Sequence, residues 1–549
     1  MAGRRGRARG LALLLVALLP APVAQAGNEL AEARRLLASE RGSDRIKGLE
    51  ILGQLDGRPA VQLGEAVIEK CLKQLDRLAV ILDKQDAEVS GWFIEAYVLE
   101  ATGNGGTARH RSARARLDHA EASQRVTLLE AELELLTMYG IGEEFATYRS
   151  AEALREIEVG ARTDSNPTAR RFFLEALARP ECVSSVPVLT SILGQTDLRN
   201  VSGALRALVP HASAPGVMDA IRPFAKHDHW ALRLGAYRVI ACGPPADAIA
   251  ALVEAIAREE GEMAFACDSY LEELTGRSFA ERPADWAGWW KENEAAVRDG
   301  SYAPPEANAP ARGATGAADS YTVARFFRIP IESRRVVFAL DCSGSMLQEL
   351  DLDEARLVAN RSRHGLPATR MGCAQAELIA AVQALPDGAL FNIVAYEDRA
   401  VLFQPKLVRA GKTTRESATK WILKREATYL TNLWDALRQS FRDYLASPGG
   451  DLRFHDVPDT IVFLTDGNAT RGRFRSGESI VRCFHLWNSP IDTVVHCVGI
   501  GADQDRPLLE RLSAMTGGYY VDPQKGTASL QRRRRLPARG IPPVGGKGG

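Results

Sequence analysis

Apolar residues recur every three or four positions from Glu29 to about residue 300, and strand-like runs are nearly absent there. That period predicts α-helices with one apolar face each. Part of the region repeats. ARRFFLEALARP (169–180), RNVSGALRALVP (199–210), ALRLGAYRVIAC (231–242) and FACDSYLEELTG (265–276) place Leu177, Leu208, Ile240 and Leu274 in matching positions, 31, 32 and 34 residues apart. Second helices such as VPVLTSILGQ and AIAALVEAIARE fall between these copies. A helix pair that cannot bury its apolar face alone, repeated at this period, predicts a solenoid.

The period and apolar pattern resemble HEAT-type repeats over roughly residues 150–276, whereas residues 29–150 are helical without fitting the same period. The helical region, taken as 27–300, finishes with LTGRSFAERPADWAGWWKEN, where Trp286, Trp289 and Trp290 share one helix face. This stripe is expected to cap the open end of the repeats up to about residue 295, rather than to bind a ligand. Residues 301–325 are rich in Pro, Ala and Gly and read as a linker. Beyond it the pattern changes. RVVFAL (335–340), ALFNIVAY (389–396), TIVFLTDG (460–467), DTVVHCVGIG (492–501) and a final YYV alternate with helical stretches. Fully apolar strands alternating with helices predict a doubly wound α/β domain over 326–524, with a mostly parallel sheet covered on both faces. The last segment, 525–549, carries QRRRR and is expected to be a solvated, disordered tail.

Composition narrows the function classes. The 549 residues hold 69 Lys+Arg and 69 Asp+Glu, so no global charge points to nucleic acid. The start is basic (MAGRRGRARG), then apolar (LALLLVALLP), then ends in the small residues of APVAQA, as an export signal does. A cut after Ala26 would begin the mature chain at Gly27. The apolar run is short for a span and Pro20 interrupts it, so an anchor is the poorer reading, and no later stretch suits a membrane span. The expected location is outside the cytoplasm: periplasmic, cell-surface or secreted, in a bacterium. Eight cysteines lie mostly in apolar patterns with no C-x-x-C spacing, which argues against zinc. Buried thiols are the simpler expectation, although export would allow some to pair.

In a doubly wound sheet, loops at the carboxyl ends of neighbouring strands meet in one crevice. Asp341, Ser343 and Ser345 follow the first strand of the α/β region, Asp466 follows TIVFL, and Thr431 lies where a loop enters a helix. Each alone would suit a turn or helix cap. Together they offer two carboxylates and three hydroxyls, all hard oxygen donors. Such a set suits Mg²⁺, with Mn²⁺ or Ca²⁺ as the other candidates.

The motifs D-C-S-G-S-M, T-N-L-W-D-A-L and L-T-D-G, in that order, resemble the von Willebrand factor type A domain and its metal-ion-dependent adhesion site. The resemblance implies that Ser343, Ser345 and Thr431 bind the ion directly, and that Asp341 and Asp466 act beside them, often through water. It also implies a free coordination position for an acidic residue of a protein partner. Two departures stand out. Tyr429 and Leu430 occupy places that are Gly-Gly in many relatives, which leaves Thr428 as a second candidate ligand. The stretch 351–372 is longer and more polar than usual at the start of the first helix and is expected to form part of a recognition rim.

Enzymatic readings fit less well. A phosphatase of the haloacid dehalogenase type needs a second acid where Ser343 stands. A serine hydrolase needs G-x-S-x-G and a histidine base, but D-C-S-G-S lacks the first glycine, and His496 falls inside a strand. A phosphate-binding G-x-x-x-x-G-K-[ST] loop is missing. The expectation is a non-enzymatic, metal-dependent protein-binding module with a helical scaffold. The alternative is an assembly scaffold in which the metal only stabilises the fold.

Overall fold

The computed structural model describes residues 21–279, 282–305, 324–350, 352, 355–428, 430–441 and 457–525. The expected leader falls mostly outside these residues, and the helix Ala21–Leu37 runs through the expected cut after Ala26. Most of the expected linker, the basic tail, Tyr429 and part of the polar stretch 351–372 also lie outside them. By packing the chain divides into two compact units, Met1–Leu82 with Glu121–Leu177, and Asp83–Ala120 with Ala178–Gly549. The division therefore cuts through the helical region.

In the first unit, buried aromatic side chains lock the helices together. Phe145 stacks on Phe173 with ring centroids 5.0 Å apart. The buried Tyr148 hydroxyl donates to the Leu52 carbonyl at 3.1 Å. Asp56 accepts the backbone N–H groups of Arg149 and Ser150, so the turn before the helix Ala151–Thr163 has its donors satisfied.

Along the chain, the helices Pro167–Leu177, Leu198–Leu208, Trp230–Ala241 and Glu262–Thr275 begin 31, 32 and 32 residues apart. Leu177, Leu208 and Ile240 are buried, while Leu274 is half-buried and Leu271 takes the core position in its helix. The tryptophan-rich helix Pro283–Arg298 closes this series. Trp286 is fully buried and its indole N–H donates to Asp268 at 2.6 Å. Trp289 packs edge-on to Trp286 and Tyr302. Trp286 and Trp289 are thus committed to packing, while Trp290 is half-buried. In the second unit, Arg206 and Arg238 both pair with Asp492, which ties these helices to the turn preceding a strand of the α/β sheet.

The α/β region opens with a short antiparallel hairpin, β1 (Ala324–Phe326) and β2 (Ile329–Ile331). β1 begins two residues before the boundary expected at 326. The main sheet contains β3 (Arg335–Asp341), β4 (Leu390–Tyr396), β5 (Ala400–Leu402), β6 (Val408–Arg409), β7 (Thr460–Thr465), β8 (Val494–Gly499) and β9 (Tyr520–Val521). Its order is β5-β4-β3-β7-β8-β9, with β6 also on β4. β4, β3, β7, β8 and β9 are parallel, and β5 and β6 are antiparallel to β4. Every residue of β7 and β8 is buried, as expected of apolar strands covered on both faces. The chain moves from β3 to β4 on one side and then returns to place β7 on the other. β3 and β7 therefore flank a topological switch point, where a crevice opens beyond the strand ends.

All eight cysteines are free, so pairing among them is not part of this fold. His496 is buried in β8 and accepts the Tyr519 N–H at its Nδ1, 3.0 Å away, while its ring stacks on Tyr519. That is a structural role.

Candidate metal centre

The pairing of Leu340 with Leu464 brings the ends of β3 and β7 side by side. Asp341 is the last residue of β3, and Thr465 is the last of β7, with Asp466 next. Both acids are fully buried. The chain after Asp341 turns sharply, because the Ser343 N–H donates to Asp341 Oδ1 at 2.8 Å. A short helical turn, Gly344–Leu347, follows and brings Ser345 round beside Ser343, their hydroxyl oxygens 3.1 Å apart. Both hydroxyls face the same oxygen of Asp466. Ser345 donates to Oδ1 at 2.7 Å, and Ser343 lies 3.3 Å from it.

Asp341 is held differently. Its Oδ2 accepts the Thr465 hydroxyl at 2.6 Å, and the Tyr396 hydroxyl lies 3.5 Å away. Burial, and then the nearby Asp466, push the Asp341 carboxyl up to about 6, against the pull of its donors Thr465 and Ser343. Burial, with Asp341 beside it, also drives the Tyr396 phenol well above its usual range. Tyr396 therefore stays a neutral donor, and its O–H donates a hydrogen bond to the Leu464 carbonyl at 2.7 Å.

Thr431 is positioned by its loop. Thr428 N–H donates to the Cys342 carbonyl, just past β3, and Asn432 N–H to the Glu397 carbonyl, just past β4. Thr431 N–H donates to the Thr470 hydroxyl at 2.9 Å, while its carbonyl accepts from Thr470 and Arg471, beyond β7. The loop is thus stitched to the ends of three strands. Thr431 is buried there, and Asn432 caps the following helix, Leu433–Ser440, by accepting the Asp435 N–H. Asn432 also presses against Gly472, whose φ is +104° and where a Cβ would stand 2.3 Å from Asn432 Oδ1.

Of the five expected residues, Asp341, Ser343, Ser345 and Asp466 share one hydrogen-bonded neighbourhood, while Thr431 lies in a loop anchored beside the same strand ends and makes its hydrogen bonds to Thr470 and Arg471. Two serine hydroxyls converging on one carboxylate oxygen, with a second acid behind them, form a hard-oxygen set that fits a small divalent cation. Among the described residues no group of three or more His, Cys, Asp or Glu suits a metal. The hydroxyl-rich crevice differs from such a cluster, having only two acids.

Three participants lie outside the expected set. Thr465 holds Asp341, and Thr470 holds Thr431. The third is Arg370, at the start of the helix Arg370–Ala384, whose Nη1 donates to Asp466 Oδ2 at 2.9 Å in a buried ion pair. Each of the four carboxylate oxygens thereby has a protein donor.

Residues 367–522 match the family model of the von Willebrand factor type A domain. Thr431 and Asp466 fall inside the matched span, and Asp341, Ser343 and Ser345 precede it. Among solved structures, the chain is similar to a von Willebrand factor type A protein from Catenulispora acidiphila (23% identity, 36% of this chain, 41% of that one, TM-score 0.26). It is also similar to proximal thread matrix protein 1 from the mussel byssus, described with a zinc-occupied MIDAS motif (15% identity, 34% and 43%, TM-score 0.24). A third likeness is to an aerotolerance-related membrane protein from Bacteroides fragilis NCTC 9343 (14% identity, 34% and 90%, TM-score 0.22). The chain thus spans about two fifths of the length of the first two, and scores this low carry no weight for function. No curated protein sequence matches the chain. Among the described residues no helix is long and apolar enough to cross a membrane. The matched span and the strand order together identify a helical N-terminal region followed by a von Willebrand factor type A domain with a mostly parallel sheet.

Proposed function

We propose that the chain is a non-enzymatic protein-binding module that works through a divalent ion held by Ser343, Ser345 and Thr431, with Asp341 and Asp466 as the acids beside it. The observation that carries this reading is the convergence of both serine hydroxyls on Asp466 at the switch point. Mg²⁺ is the expected ion, since every donor is a hard oxygen. The ion supplies a Lewis-acidic position for a carboxylate of the partner. The protein's own residues orient the donors and keep the crevice dry on its inner side. One carboxylate–metal contact is weak in water, so affinity must come from surrounding surface. The helices of the N-terminal region, read as HEAT-type repeats, supply a second surface. Export, with a leader ending at Ala26, would place the site among abundant divalent ions outside the cytoplasm.

The test uses the mature chain and Asp341→Ala. Calorimetry is expected to show Mg²⁺ binding to the first and none to the second, with the helical circular dichroism unchanged. Recovery of partners from an extracytoplasmic extract is expected in Mg²⁺ and lost in chelator. Equal recovery in both conditions rejects the reading.

A further inference from the structure

Arg370 is the feature of the crevice that a metal site does not require. Its side chain is about nine-tenths buried. One nitrogen pairs with Asp466, while Nε is buried with no hydrogen-bond partner among the described residues. The guanidinium lies against Gly501, whose φ is +84° and where a Cβ would stand 2.4 Å from Cζ and 2.5 Å from Nη2. Gly501 cannot retreat easily, because its N–H donates to Gln524 and its carbonyl accepts from Gln504. The fold therefore reserves space for a fixed positive charge, at the cost of an unsatisfied donor, directly on an acid of the centre.

We propose that Arg370 is a built-in cation of the metal centre that competes with the divalent ion for Asp466 and so holds the affinity of the crevice for that ion low. The proposal rests on the metal-binding reading above. Three physical effects act in the same direction. The guanidinium occupies Oδ2, leaving Asp466 only Oδ1 for the serine side. It repels a divalent charge in a poorly solvated pocket. It also satisfies Asp466 when no ion is bound, so the ion gains less by arriving. Two acids and one guanidinium sum to a charge of −1, and a divalent ion brings the loaded centre to +1. A centre of that sign favours an anionic group on the partner and sheds the ion readily when none is present. Arg370 is in this sense a positioning and specificity residue for metal-dependent capture.

The experiment is Mg²⁺ and Mn²⁺ titration of the whole mature chain by calorimetry, for wild type, Arg370→Gln, Arg370→Lys and Asp341→Ala. The proposal expects Arg370→Gln to bind at least tenfold more tightly than wild type. Arg370→Lys, which keeps the charge, should stay within about threefold of wild type. Wild-type binding with unchanged or weaker affinity in Arg370→Gln overturns the role of Arg370 and leaves the metal centre standing. Absence of binding in both wild type and Arg370→Gln overturns the centre itself. If Arg370→Gln does not fold in chelator, the Mg²⁺ concentration that restores its near-ultraviolet circular dichroism becomes the readout. Refolding at or below the wild-type dissociation constant supports the proposal, and failure to refold at saturating Mg²⁺ rejects it.

Discussion

Gly501→Ala offers a quantitative check on the Arg370 arrangement. The substitution adds one methyl group at a position with φ +84°, against the end of the Arg370 side chain. The left-handed backbone alone costs an alanine about 1–2 kcal/mol. The contact is more informative. A Cβ 2.4 Å from Cζ cannot be accommodated without movement, and the long arginine side chain can move. It can do so only by giving up its 2.9 Å bond to Asp466, because the backbone at Gly501 is held by Gln524 and Gln504. Breaking a buried ion pair costs about 3–5 kcal/mol, and mild overpacking costs about 1–3 kcal/mol; the structure will take the cheaper route. The single variant should therefore lose about 2–5 kcal/mol in urea denaturation, of which only the backbone part of about 1–2 kcal/mol survives when Arg370 is already glutamine. The double-mutant cycle should show a coupling of about 1–3 kcal/mol, measured in chelator with m-values confirmed equal. A Gly501→Ala cost that is the same in both backgrounds would refute the claim that the glycine exists to seat the guanidinium.

Two further predictions concern the scaffold. Asp459, at the opposite end of β7 from the candidate metal centre, is nearly fully buried, and burial raises its carboxyl from an ordinary 3.8 to about 7, with Ser333 opposing the rise and Glu262 adding to it. A raised folded-state value means that the folded chain holds this proton longer, so stability falls as pH rises from about 4 to 7. Asp459→Asn should remove that loss, and its advantage in urea denaturation should be about 2–3 kcal/mol larger at pH 8 than at pH 5; an equal difference at both would count against it. Trp286→Phe strips the 2.6 Å bond to the buried Asp268 and should lower stability by about 2–4 kcal/mol in the same assay, whereas a change below about 0.5 kcal/mol, the size of an ordinary surface substitution, would show that this bond does not hold the helix in place.

The parts of the centre that were legible in the sequence are local. Asp341, Ser343 and Ser345 sit within five residues at the end of an apolar run, and Asp466 ends another, so strand ends and short loops betray them. Thr465 was hidden because a threonine inside TIVFLT reads as an ordinary β-branched strand residue. Its partnership with Asp341 depends on β3 and β7 being neighbours, which no local pattern encodes. Arg370 left one faint signal. It is the first residue of a helix whose cap is Thr369, and a cation there opposes the helix dipole. Such local conflicts tend to mark functional positions. The helices of the N-terminal region were legible because each must bury an apolar face at regular intervals. The division by packing was not, since helix patterns show which face is apolar and not what covers it.

The arrangement of donors also bears on the choice between a binding module and a scaffold whose metal only stabilises the fold. A structural metal site usually leaves its ligands badly placed without the ion, since like charges gather with nothing between them. Here Asp466 is shared between Ser345 and Arg370, and Asp341 between the Ser343 N–H and Thr465. The sheet is closed by its own hydrogen bonds and buried strands, so the fold's cohesion rests on β3, β4, β7 and β8. What remains unrelieved is the mutual repulsion that helps to push Asp341 up to about 6. A divalent ion would relieve that tension by exchanging one set of satisfied contacts for another, a change small enough to be decided by whether an anionic partner is also present. If Arg370 competes with the ion as proposed, a fold that needed the ion would have no use for it. One that reads the ion and a partner together does, and on that physical ground the binding reading is the stronger of the two.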